Sequence, residues 1–140
     1  MERGDEKHIG NARAEIATRI VRLQSEYYGK GPTKARAYIT EDVVVVVLEE
    51  TFTKAERTLV ERGETETIQQ IRRRFQQQMA ESFTNIVEQA TGRRVRAFFS
   101  ETDIEQDLSV ELFLLADERT DMSGFEPRGA GGGGGAPEAR

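Results

Sequence analysis

The chain has 140 residues, of which 36% are hydrophobic and 32% charged, with a formal net charge of −5 and no cysteine. That length suits one ordinary domain with tails, and the acidic balance argues against a dedicated nucleic-acid binder, which needs positive surface for phosphates. Without cysteine, disulfide frameworks, thiolate metal sites and thiol nucleophiles are excluded, and a reducing, cytoplasmic setting fits.

The opening "MERGDEKHIG" carries charge where a signal peptide needs an apolar run, and is expected to be a flexible N-terminus over residues 1–10. No apolar stretch approaches the roughly 18–20 residues of a membrane-spanning helix, so a membrane role would be peripheral or through a membrane partner. From Asn11, a plausible cap, the residues Ala12, Ile16, Ile20, Leu23 and Tyr27 recur at steps of three or four and predict a helix with one apolar stripe. The "YGKGP" that follows stops it, since Gly29 suits a left-handed cap and Pro32 disfavours helix at Gly31.

Strands are expected over 35–40 and 43–49, paired as a hairpin around "TED". "TKAE" has capping-box spacing from Thr53 to Glu56 and starts a second helical stretch that pauses at Gly63. Then Ile68, Ile71, Phe75, Met79, Phe83, Ile86, Val87 and Ala90 mark a long amphipathic helix of roughly 25 residues, about 38 Å, ending at Gly92. A second hairpin, 95–101 and 108–116, turns within "TDIEQD". The order helix, hairpin, helices, hairpin predicts an α+β fold over 11–116, with helices on one face of a four-stranded antiparallel sheet. From 117 onward "RGAGGGGGAPEAR" reads as a disordered Gly-rich tail.

The run "VVVVV" at 43–47 is apolar on both faces of its strand, where a sheet covered on one side only would alternate apolar with polar. Either the N-terminal helix crosses to the second face, or a second copy or other partner covers it. Val44, Val46 and Leu48, continued by Phe98, Phe113 and Leu115, stand as the candidate interface, although the pattern does not say which face the helices take. A homodimer is the expected assembly.

Candidate sites are sparse. Lys30 and Lys34 flank the glycine turn and could contact an anion, but the spacing is not that of a phosphate-binding loop, and a plain helix stop explains it as well. Arg93, Arg94 and Arg96 extend the anion-binding candidates. Arg72, Arg73 and Arg74 point in three directions on a helix, as solvated residues with ion pairs would. A nucleic-acid reading would combine Arg72, Arg73, Arg93, Arg94 and Arg96 with Phe98. "DIEQD" at 103–107 alternates carboxylates but lacks the glycine and the distal glutamate of a calcium loop, so an acidic turn is the simpler reading. His8 is the only histidine, and no acid–base or nucleophilic constellation is visible. These readings predict no enzyme activity, no metal and no cofactor.

Taken together, "YYGKGPTKARAYITEDVVVVVLE", "FTKAERTLVERG", "IRRRFQQQMAESFTNIVEQATGRRV" and "SVELFLL" resemble the bacterial MpsC-type domain over residues 11–116, with "GKGP" and "ATGRRV" the most specific pieces. The resemblance implies a small soluble accessory or regulatory module associated with a sodium-translocating, membrane-potential-generating system. Its other components would be membrane proteins. It supplies no catalytic residues to carry over.

Overall fold

The computed structural model describes residues 2–117, with side chains from His8 onward; the Gly-rich segment lies outside them. The described elements are α1 (Glu2–Tyr28), β1 (Lys34–Thr40), β2 (Val43–Glu49), α2 (Lys54–Glu61), α3 (Thr65–Thr91), β3 (Val95–Asp103) and β4 (Leu108–Leu115). The strands form one sheet in the order β1-β2-β4-β3, every neighbour antiparallel. The fold is α+β, as the segregation of strands and helices predicts.

The helix expected from Asn11 begins at Glu2 instead, so the N-terminus expected to be flexible is helical from its second residue. Glutamate, lysine and arginine are good helix formers, and a helix needs an apolar stripe only where it packs. At the other end Gly29 adopts φ +79°, and its N–H bonds the Ser25 carbonyl at 2.9 Å. Gly31 then folds back on the helix: a Cβ there would lie 2.5 Å from Ser25 Oγ and 3.2 Å from the Val21 carbonyl oxygen. The "GKGP" signature is therefore a close backbone approach that brings β1 in against α1.

Thr53 and Glu56 form the capping box that their spacing predicts. Thr53 Oγ1 accepts from the Glu56 N–H at 3.2 Å, and Glu56 Oε1 accepts from the Thr53 N–H at 2.9 Å. Between β1 and β2 the chain turns at Glu41 and Asp42.

The core lies on one side of the sheet. Val44, Val46 and Leu48 of β2 and Phe113 and Leu115 of β4 pack with Phe98 of β3 against Ile16 and Ile20 of α1 and Met79, Phe83 and Val87 of α3. Phe98 stacks on Phe113 with ring centroids 4.9 Å apart, and Phe83 meets Phe98 edge-on at 6.2 Å. Because α1 shares the α3 side, it does not cross to the second face. A smaller cluster of Phe52, Ile68 and Ile104 closes the α2 end.

Candidate functional site

Register and alternation place four rows of side chains on the face away from the helices. They read Thr40–Val43–Leu114–Ala97, Tyr38–Val45–Leu112–Phe99, Arg36–Val47–Val110–Glu101 and Lys34–Glu49–Leu108–Asp103, each crossing β1, β2, β4 and β3. Apart from Thr40 and the Tyr38 hydroxyl on β1, the first two rows and the middle of the third are apolar. Val43, Val45, Val47, Val110, Leu112, Leu114 and Phe99 are only half-buried, and Tyr38 keeps 45% of its surface exposed. Four strands at about 4.8 Å and seven residues at about 3.3 Å make a plate of roughly 19 by 23 Å. Its apolar part is comparable to the largest patches that monomers leave bare, and such patches are often functional.

The residues expected at the interface lie on the opposite side. Val44, Val46 and Leu48, with Phe98, Phe113 and Leu115, are at most 2% exposed inside the single chain. The helices take that side because its neighbours on β1 are Ala35, Ala37 and Ile39. The second side is flanked there by Lys34, Arg36, Tyr38 and Thr40, which suit solvent. The face open to a partner is therefore that of Val43, Val45 and Val47.

Behind the sheet sits a polar cluster that the sequence pattern did not reveal. Arg72, expected in solvent, is buried and grips Glu56 with two bonds, Nε to Oε2 at 2.7 Å and a terminal nitrogen to Oε1 at 2.6 Å; the terminal nitrogen also reaches the Thr51 carbonyl at 2.9 Å. Its guanidinium lies 3.9 Å from the Tyr28 ring centroid and 4.9 Å from that of Phe52. Burial alone would raise the Glu56 pKa, but the bonds from Arg72 and Thr53 outweigh it and hold the carboxyl below its ordinary value. Burial pushes the Tyr28 phenol up to about 12, against the opposing Arg72 charge. The signal for Arg72 was its spacing: four residues after Ile68, three before Phe75 and seven before Met79, it falls on the apolar stripe.

Glu111 is buried on β4 between Ser109 and Phe113, facing the helices. Burial pushes its carboxyl up to about 8, and the Ser100 hydroxyl, donating at 2.8 Å, and the Arg72 charge only partly offset this. Its Oε2 lacks a hydrogen-bond partner among the described residues. A cleft of about 170 Å³ lies nearby between α3 and β3, lined by Gln69, Arg72, Arg73, Gln76, Ser100 and Thr102 among others. Arg72, Gln76, Ser100 and Thr102 are already engaged, which leaves the charges of Arg73 and Glu101 and the amides of Gln69 and Gln77 in its lining. Among the described residues no group of three or more histidines and carboxylates could hold a metal.

The anion-binding candidates do not converge. Lys30 Nζ donates to the Glu50 carbonyl, and Lys34 stands on the open face at the same end of the sheet. At the opposite end Arg93 donates to the Glu41 and Ala116 carbonyls and to Asp42 Oδ1 at 2.7 Å, pinning both hairpins. Arg94 is exposed at the start of β3, and Arg96 occupies the irregularity between Val95 and Ala97, where β3 gains a residue over β4. The nucleic-acid patch likewise loses Arg72 to its ion pair and Phe98 to the core. Asp107, in the acidic turn, accepts from the N–H groups of Thr51 and Phe52.

The family described as "Na+-translocating membrane potential-generating system (MpsC)" matches residues 8–117. The chain belongs to the MpsC family. It is 25% identical over 115 residues to "Uncharacterized protein YbcI" of Bacillus subtilis (strain 168), covering 80% of this chain and 91% of that one. No solved structure matches it with significance. The MpsC match begins on α1 and ends past β4, so it includes the open face and the Arg72 cluster. The two pieces most specific to the MpsC resemblance are structural here: "GKGP" is the close turn after α1, and "ATGRRV" carries Arg93 and the last turn of α3.

Proposed function

We propose that this MpsC-family chain acts by binding and not by catalysis, as an accessory module that self-associates through its open sheet face and docks on a larger assembly. The observation that carries the reading is that face: seven half-buried large apolar side chains on β2, β3 and β4. The family description supplies the setting, a Na+-translocating system that generates membrane potential. Among the described residues no helix is long and apolar enough to cross a membrane; in this reading the chain meets its membrane-protein partners at the membrane surface, on the cytoplasmic side.

The test is deletion of the gene, with a potential-sensitive dye and growth at high sodium as readouts, followed by complementation with the natural chain or Val45→Asp. Loss of potential and sodium tolerance, restored by the natural chain and not by V45D, is the expected result. Unchanged potential and tolerance on deletion would remove the transport link. Full complementation by V45D would remove the role of the open face.

A further inference from the structure

The open face is charged along its two edges with opposite signs, and inside them Glu49 of β2 stands beside Lys34. Lys34 and Arg36 stand on β1 at one edge; Glu101 and Asp103 stand on β3 at the other. All four are exposed. Arg36 shares a row with Glu101, and Lys34 with Asp103, but three strand spacings of about 4.8 Å hold the members of each row roughly 14 Å apart. Lys34, Arg36 and Glu101 make no ion pair among the described residues, and Asp103 accepts the Gln106 N–H at 3.1 Å. Within one chain these charges cannot meet.

A second copy can bring them together. We infer that two copies pack their open faces together as a sandwich whose two-fold axis runs parallel to the strands. This operation keeps each row at its own height and exchanges the edges, so β1 of one copy lies over β3 of the other. Arg36 then faces the partner's Glu101 and Lys34 the partner's Asp103, twice each by symmetry. Tyr38 lies over the partner's Phe99, Val45 over the partner's Leu112, and Val47 over the partner's Val110. Sheets packed this way stay nearly aligned and about 10 Å apart, a gap that an arginine and a glutamate reaching from opposite sides can close.

For nearly aligned sheets the other two-fold axis that brings the faces together runs across the strands. It would set β1 over β1 and β3 over β3, so that like-charged edges meet, and it pairs no row of charges. Electrostatic complementarity selects the first arrangement and opposes the second. The interface is isologous, as in most homodimers.

This inference rests on the open face being an interface, and the experiment separates the two claims. The full chain and its Arg36→Glu, Glu101→Arg and Val45→Asp variants are compared by sedimentation equilibrium at low salt, together with the R36E/E101R double variant. The natural chain is expected to be a dimer, V45D a folded monomer, and each single charge reversal about tenfold weaker in dimerisation. The double variant restores affinity to within about threefold, because the swapped pair meets again across the axis. A natural chain that stays monomeric at high micromolar concentration would overturn both claims, as would V45D that dimerises normally. Dissociation by V45D with no rescue in the double variant would leave the interface standing and overturn the axis.

Discussion

Among single residues, Arg72 and Glu111 are the two whose chemistry departs furthest from what their neighbours in sequence suggest. Arg72 has exchanged water for two carboxylate oxygens, a carbonyl and two aromatic faces. Removing one partner of a buried ion pair leaves the other charge stranded, so Arg72→Met should cost about 3–5 kcal/mol in urea unfolding. Adding Glu56→Gln removes the second charge while keeping an acceptor for the capping box, and should recover most of that loss. Glu111 gives a pH dependence of definite sign. Its pKa is raised in the folded chain, so the folded state binds the proton more tightly than the unfolded state. Its contribution is complete below the unfolded value of 4.5 and is lost as pH rises through about 8. Glu56 acts oppositely: its depressed pKa contributes stability above the ordinary carboxylate range that is lost in acid. Glu111→Gln should therefore flatten the decline of melting temperature between pH 5 and pH 9 and leave the acid limb in place; an unchanged alkaline limb would show that Glu111 does not titrate there.

Among the elements, β2 divides the two roles of the sheet between adjacent residues. Val44 is fully buried under the helices and Val45 is half-buried on the open face. Val44→Asp places an unpaired charge in the core and should cost more than about 3 kcal/mol, enough to unfold the domain by circular dichroism. Val45→Asp should keep the helical spectrum and change the sedimenting mass alone. Thr53→Ala, which removes the side-chain cap of α2, should cost about 1 kcal/mol. The hairpins, the capping box, the long helix and the α+β order all follow from local pattern, because periodicity and turn chemistry are properties of neighbouring residues. The extension of α1 to Glu2 was not legible, since charged residues show no apolar stripe whether or not they are helical. The sides of the sheet were not legible either: both sets of β2 side chains are apolar, and the residues that break the tie, Ala37 and Arg36, sit on a different strand.

In the whole molecule, the proposed pairing of open faces predicts how stability depends on concentration and salt. A chain whose fold is coupled to dimerisation gains stability with concentration, so its melting temperature should rise over a hundredfold increase in protein. V45D should show no such rise. High salt should weaken the dimer by screening the rim pairs, while the apolar centre continues to hold it.

The sequence by itself determined the element order, the helix ends at Gly29, Thr53 and Gly92, the family and the existence of a strand with two apolar faces, because each is carried by residues close together in the chain, whereas Asn11, expected as a cap, lies inside α1. Only the tertiary structure decided where α1 docks, which side of the sheet is core, that Arg72 is buried, and that Lys34 and Arg36 line the edge opposite Glu101 and Asp103. These depend on strand order and register, which bring residues some 60 to 70 positions apart into one row. A period-2 pattern is symmetric between the two faces of a strand, and the packing of the helices against one of them breaks that symmetry.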